Sequence, residues 1–116
     1  MTDEVKVLKR LYDGFNARDM KTLLAAMQED VIWANGMEGG HVHGREGVRG
    51  YWARQWAMID PHVQPLAFSK GPEGDVHVEV HSIVRDLKGN LLADQLVGHV
   101  FRLTNGLVQR FDIRST

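Results

Sequence analysis

The chain has 116 residues, of which 43% are hydrophobic and 25% are charged, and these values predict one globular domain over residues 1–116. Its net charge of −1 argues against a nucleic-acid or anionic-membrane partner, and the absence of cysteine excludes disulfides, thiolate metal sites and cysteine nucleophiles. The charged N-terminal segment and the lack of a long apolar run predict neither a signal peptide nor a membrane span, so we expect a cytoplasmic protein.

Three helices are predicted in the first half of the chain. Thr2 or Asp3 can cap the first helix and Asp19 the second, because short polar side chains satisfy free N–H groups at a helix start. Pro61 ends the third and longest helix. Each helix carries a mostly apolar stripe at helical spacing, and in chain order the stripes are Val5, Leu8, Leu11, Tyr12 and Phe15; Met20, Leu23, Leu24 and Met27; and Val48, Tyr51, Trp52, Gln55, Trp56 and Ile59.

Five strands are predicted, the first of them at residues 30–35, between the second and third helices. The other four follow Pro61, at residues 62–69, 76–84, 91–103 and 107–114. Pro65 places its strand at a sheet edge or a bulge, and Asn105-Gly106 predicts a tight hairpin between the last two strands. The order ααβαββββ predicts an α+β fold with a mostly antiparallel sheet.

A glycine-rich segment, NGMEGGHVHG at residues 35–44, separates the first strand from the third helix. His41 and His43 would point the same way in an extended segment, with Glu38 close by, but a catalytic zinc site needs three protein ligands and no third histidine is local. The segment also lacks the spacing of a phosphate-binding motif. We therefore expect no metal and no cofactor here. A connection whose glycines adopt positive φ is the simplest interpretation.

The segments LYDGFNARDMKTLLAAMQEDVIW and HGREGVRGYW, followed by four strands, resemble the nuclear-transport-factor-2-like (NTF2-like) superfamily. That group includes the SnoaL-like polyketide cyclases and the ketosteroid isomerases. The resemblance covers nearly the whole chain and rests on the FNARD helix break, the GR before the third helix and the order of elements. It implies a cone, in which a curved sheet wraps the long third helix and holds a pocket at its open end. It implies no single function, because this scaffold carries enzymes, transport factors and binding proteins.

The resemblance also implies which side chains face the pocket. It makes the glycine-rich segment the pocket rim, with Met37, Glu38 and His41 within reach of a ligand. The strand residues expected to face inward are Trp33 and Asn35; Gln95, Val97, His99, Phe101 and Leu103; and Leu107, Phe111 and Ile113, with Arg110, Asp112 and Arg114 outward. With Tyr51, Trp52, Gln55 and Trp56 of the third helix, they predict a site for a small hydrophobic or aromatic molecule. Aromatic stripes at helical spacing are also typical of a core, so both interpretations stay open.

Three roles in the ketosteroid isomerases correspond to altered residues here. Their carboxylate base registers with Asn35, whose amide cannot take up a proton. Their pocket tyrosine registers with Leu11, next to Tyr12, and their acidic donor registers with His99. Steroid isomerisation by that mechanism is therefore not expected. His99 remains the candidate acid or base, and Asn35 could polarise a ligand oxygen. The alternative for His99 is a buried neutral histidine bonded to a backbone carbonyl or to Gln95.

Two functions follow from these residues. One is a cofactor-free isomerase, lyase or hydrolase acting on a hydrophobic carbonyl compound or a polyketide-like molecule, with His99 and Asn35 as its catalytic residues. The other is a non-catalytic protein that binds a small ligand in the same pocket, and the missing carboxylate base favours it. Asp112, between Arg110 and Arg114, is either a surface ion pair or a catalytic acid, since this ending resembles that of many SnoaL-like chains.

The outer face of the sheet predicts a homodimer. Its residues make a surface more apolar than a monomer usually exposes, and a symmetric pair of such faces would bury it. They are His77, Glu79, His81 and Ile83 on one strand, and Leu96, Val100 and Arg102 on the next.

Overall fold

The chain builds a curved, unclosed six-stranded sheet around its third helix. The computed structural model describes residues 3–115, so the predicted cap at Thr2 lies outside the described residues. The elements are α1 (Asp3–Asn16), α2 (Met20–Ala25), β1 (Met27–Ala34), β2 (His41–His43), α3 (Gly44–Met58), β3 (Ile59–Lys70), β4 (Val76–Asp86), β5 (Leu91–Thr104) and β6 (Leu107–Ser115). The predicted α+β class is confirmed. No helix within residues 3–115 is long and apolar enough to cross a membrane.

Three details of the elements differ from the prediction. Met27 begins β1 and Ile59 begins β3, although helical spacing assigns each of them to the end of a helix. At both places a helix leads almost directly into a strand, so an apolar residue of the strand continues the apparent stripe. The glycine-rich segment contains β2, which pairs antiparallel with β1. A strand of three residues with one apolar side chain is too short to show a period.

The sheet has the strand order β2-β1-β6-β5-β4-β3. All neighbours run antiparallel except β1 and β6, which are parallel. Pro65 lies on the edge strand β3, and the register shifts between Pro65 and Ala67, so both of its predicted placements are confirmed. Asn105 and Gly106 have φ values of 52° and 80°, the positive values that a tight hairpin turn between β5 and β6 requires.

The FNARD segment joins the helices to the edge strand β3. The Asn16 amide donates to the Val63 carbonyl and accepts from the Val63 N–H, so this side chain pairs with β3 as a strand would. Arg18, at a φ of 60°, donates to Asp60 and to the carbonyl of Pro61. Asp19 caps α2 by accepting from the N–H of Thr22, as predicted.

The GR segment sets the start of α3 against β1. Gly44 has a φ of 75°, and a Cβ there would lie 3.3 Å from the carbonyl oxygen of Glu29, so the turn from β2 into α3 favours glycine. The guanidinium of Arg45 then donates twice to the carbonyl of Met27, at 3.0 Å and 2.6 Å. These contacts fix where α3 enters the curve of the sheet.

The core lies between α1, α3 and the concave side of the sheet. Trp52 of α3 is 1% exposed, and the inward row of β4, from Val76 to Val80, is buried as its alternation predicts. Trp56 is half-buried, less than the prediction of a largely buried side chain. Its ring packs on Trp52 on one side and lies 5.2 Å from the Arg18 guanidinium, at the margin of the core.

A bulge reverses the predicted alternation at the start of β6. Arg102 pairs with Arg110, but Leu103 pairs with Val108, which leaves Gln109 as an extra residue. Val108 is consequently fully buried, and the prediction that Leu107 faces inward is wrong. Beyond the bulge, Phe111 and Ile113 lie on the inner side, as predicted.

Candidate functional site

The sheet encloses, with α1 and α3, a cavity of about 500 Å³ that opens at one end of the cone. Its wall is mostly apolar, and Trp33 is central to it. The Trp33 ring stacks on Phe111 with centroids 4.1 Å apart and meets Trp52 edge-on at 5.2 Å. A wall of this kind suits a flat or apolar molecule. The aromatic side chains that line the cavity are Tyr12, Phe15, Trp33, Trp52, Phe101 and Phe111.

Most of the residues predicted to bind a ligand lie along this cavity. They are Trp33, Asn35, Met37, His41, Trp52, Gln55, Gln95, His99, Phe101 and Phe111. Glu38, Tyr51 and Trp56 do not line it. Tyr51 is buried behind the loop after β1, where its hydroxyl accepts from the N–H of Gly36 at 3.0 Å and from Gln55 Nε2 at 3.2 Å. Its hydroxyl thereby holds the backbone of the rim at Gly36.

His99 of β5 is a titratable side chain deep in the cone, and it is 9% exposed. Its Nδ1 lies 2.7 Å from the Tyr12 hydroxyl, so its partner is neither of the two predicted from the sequence, a backbone carbonyl or Gln95. Burial lowers the pKa of His99 from 6.5 to about 4, since an apolar wall penalises the charged ring. The imidazole is therefore neutral at pH 7.

Tyr12 of α1 is a site residue that the sequence analysis did not predict. Burial raises the pKa of its hydroxyl above the ordinary value, so the hydroxyl keeps its proton. A phenol is a better donor than acceptor, so we assign the bond as Tyr12 O–H to His99 Nδ1, which leaves the ring proton on Nε2. The apolar stripe of α1 contains both Leu11 and Tyr12, and both line the cavity. The only sequence signal was that a buried tyrosine hydroxyl needs a partner.

Asn35 lies at the cavity mouth, but its side chain closes the loop after β1. Its Oδ1 accepts from the N–H groups of Met37 at 3.0 Å and Glu38 at 2.8 Å. Its Nδ2 donates to Glu38 Oε1 at 3.1 Å, which turns the Glu38 carboxylate toward the loop. The amide is thus committed to loop geometry, an arrangement typical of asparagine in turns.

His41 and Asp112 meet at the mouth of the cavity. His41 Nε2 lies 2.8 Å from Asp112 Oδ1, and Arg110 Nε donates to Asp112 Oδ2 at 2.7 Å. Partial burial raises the pKa of the Asp112 carboxyl, but the hydrogen bonds from Arg110 and His41 outweigh it, so the pKa lies below its ordinary value. Asp112 was expected to face outward; it borders the cavity at its mouth, and its carboxylate contacts His41, which the pairing of β2 with β1 places beside β6.

Comparisons with known proteins agree with this architecture. A family model described as a SnoaL-like domain matches residues 8–111. An NTF2-like protein of unknown function from Burkholderia pseudomallei is 26% identical, with a TM-score of 0.87 over 100% of this chain and 92% of that one. TerC, co-crystallised with polyporic acid, is 23% identical, with a TM-score of 0.86 over 99% of this chain and 92% of its own.

A third solved structure has a ketosteroid-isomerase-like fold and comes from Catenulispora acidiphila, in complex with trimethylamine. It is 15% identical, with a TM-score of 0.81 over 95% of this chain and 85% of its own. No match was found among the curated proteins. Since the family model spans residues 8–111 and these structures share the cone, the chain belongs to the SnoaL-like domain family, on an NTF2-like fold.

Proposed function

We propose that this protein binds a small, mostly apolar molecule inside the cone and holds a carbonyl oxygen of that molecule against His99. The observation that carries the proposal is the buried pair of Tyr12 and His99 in an aromatic wall. The Tyr12 hydroxyl donates to Nδ1 of His99, so the N–H at Nε2 can donate to a ligand. A polar group that faces an apolar wall costs free energy unless a partner satisfies it, and a ligand oxygen is a suitable partner.

The protonation state of His99 supports a neutral ligand. With a pKa of about 4 the imidazole carries no charge at pH 7, so it offers a hydrogen bond and no ion pair. A carboxylate brought beside it would lose its hydration without meeting a positive charge. Ketones, enones and quinones therefore fit this end of the cavity better than acids of the same shape.

Binding of 2-acetylnaphthalene, a flat ketone, tests the proposal. We expect saturable binding to the wild type, with a blue shift of the ligand's fluorescence as it enters an apolar site. The double variant Tyr12→Phe/His99→Leu should bind roughly threefold to tenfold more weakly, because one hydrogen bond to the carbonyl is lost. The matched control is His81→Leu, since His81 pairs with Asp94 on the outer face. Wild-type protein that does not bind the ketone, or a double variant of equal affinity, would refute the proposal.

A second candidate function is proton transfer on the bound molecule, and the contact of His41 with Asp112 favours it. A carboxylate that holds an imidazole at 2.8 Å fixes the ring's orientation and its tautomer. In this scheme a ligand carbonyl would lie at the mouth, where His41 would take up a proton from the adjacent carbon. Asn35 has no part in this scheme, since its amide closes the loop.

Deuterium exchange distinguishes this candidate from binding alone. In D₂O the methyl group of 2-acetylnaphthalene should exchange faster with the protein than in buffer, and Asp112→Asn should slow that exchange by at least about tenfold. NMR of the ketone measures both rates. Exchange at the buffer rate with wild-type protein would leave binding as the function.

We also propose that two copies associate through the outer face of the sheet. Leu66, Leu92 and Leu96 are 52%, 57% and 50% exposed there, beside the half-buried Ile83. Two such faces related by a twofold axis would remove these side chains from water. Sedimentation equilibrium at micromolar concentration should give about twice the chain mass of 13.1 kDa. Leu96→Glu should give the single chain mass, and a monomeric wild type would reject the dimer.

A further inference from the structure

Polar and apolar side chains form three layers along the inner faces of β4 and β5. Cross-strand partners define each layer, and successive layers lie two residues apart on each strand, so all three face the same side. From the deep end to the mouth the pairs are Val78–His99, Val80–Val97 and Ser82–Gln95. The wall therefore carries a polar group at depth, an apolar band in the middle and a second polar pair near the mouth.

The pair at the mouth has hydrogen-bonding capacity to spare. Ser82 and Gln95 both line the cavity, Ser82 half-buried and Gln95 exposed. Neither side chain has a hydrogen-bond partner within the part of the chain that the structure describes. A hydroxyl and an amide each donate and accept, so together they can bind a hydroxyl, a carbonyl or an amide of a ligand.

The spacing of the two polar layers gives the length of a matching molecule. Gln95 and His99 are four residues apart on one strand, which is about 13 Å at the rise of an extended chain. Where both hydrogen bonds, each of about 2.8 Å, point toward the middle layer, roughly 7–8 Å is left between two ligand oxygens. That span is typical of oxygen substituents at opposite ends of two fused rings, and the layer between them presents the apolar side chain of Val97.

We infer that the ligand has two polar ends: an oxygen that meets His99, a flat apolar middle, and a second polar group that meets Ser82 and Gln95. Hydroxylated bicyclic ketones are the class of molecule with this pattern. The inference rests on the function proposed above, because it takes the oxygen at His99 as its starting point. It adds the identity of the far end and the distance to it.

The test compares two probes that differ by one hydroxyl, 2-acetylnaphthalene and 6-acetyl-2-naphthol, by fluorescence titration and calorimetry. The wild type should bind the hydroxylated compound roughly threefold to tenfold more tightly, the value of one added hydrogen bond. The variant Ser82→Ala/Gln95→Met should bind the two compounds with equal affinity, because it lacks the partners of the added hydroxyl. The control Gln64→Met, at an exposed position of β3 outside the cavity, should keep the preference.

Each result separates this inference from the function on which it rests. Wild-type protein that binds 2-acetylnaphthalene through His99, but gains nothing from the hydroxyl, would overturn the two-ended ligand alone. A preference that survives in Ser82→Ala/Gln95→Met would do the same. Failure of the wild type to bind either probe would refute the proposed function itself.

Discussion

Replacing Trp52 with alanine is expected to lower the free energy of unfolding by about 3–5 kcal/mol. Trp52 is 1% exposed and lies where α1, α3 and the sheet meet. Its ring lies 5.2 Å from that of Trp33 on β1 and 5.7 Å from that of Phe15 on α1. Deleting the indole removes apolar burial on both sides and leaves a void that the strongly curved sheet can close only in part.

Urea denaturation followed by far-ultraviolet circular dichroism measures this loss without relying on the tryptophan signal. Trp56→Ala is the matched control, because Trp56 is half-buried and makes its contacts at the margin of the core. It should lose roughly half as much free energy, since less apolar surface is re-exposed. Equal losses for the two variants would show that α3 does not insert Trp52 into the centre of the cone.

Patterns that one segment sets by itself were predictable from the sequence. The alternation from Val76 to Val80 predicts the buried row of β4, and Pro65 predicts an edge strand with a bulge, since both depend on local geometry. Asp19 predicts the cap of α2 for the same reason.

Features that depend on how distant strands pair were not predictable. The bulge at Gln109 arises where Val108 must match Leu103 on one side while its N–H donates to the carbonyl of Ala26 on the other. Two strands with separate registers set that geometry, and a period-two pattern in one strand contains neither. The buried residue is therefore Val108, one position from the predicted Leu107.

The polar contacts of the site depend on the same long-range order. His41 meets Asp112 because β2 and β6 both flank β1, an order that the sequence pattern leaves open. Tyr12 reaches His99 because α1 packs against the concave side of the sheet, and a helical stripe does not say which of two adjacent side chains makes the contact. Asn35 follows a local rule, the preference of its amide for closing turns, whereas the resemblance to the isomerases implied a contact with the ligand.

Lowering the pH from 6.5 to 4 should destabilise the native state by about 3 kcal/mol through His99 alone. In the unfolded chain its pKa is 6.5, whereas burial in the folded protein lowers it to about 4. Below pH 6.5 the unfolded state therefore takes up a proton on His99, whereas the folded state does so only near pH 4. The free energy of unfolding falls across this window, and the contribution of His99 is fully present above pH 6.5. A difference of about 2.5 between the two pKa values corresponds to about 3 kcal/mol.

Urea midpoints at half-unit pH steps, for the wild type and Tyr12→Phe/His99→Leu, measure the loss of stability that His99 causes as the pH falls. The variant replaces both members of the buried pair with apolar groups, so it should remain folded at pH 7 and lose only the part of the pH dependence that His99 supplies.

Tyr12→Phe alone should keep the fall in stability seen in the wild type, because burial, and not the hydroxyl, lowers the pKa of His99. The carboxyl groups of Asp19, Asp75, Asp86 and Asp112, whose pKa values lie below 3.8, act mainly below pH 4, and all three proteins contain them, so the comparison stays intact. Parallel curves for the wild type and the double variant between pH 6.5 and 4 would mean that His99 takes up its proton in the folded state as readily as in the unfolded chain, and burial would then not hold the imidazole neutral below pH 6.5.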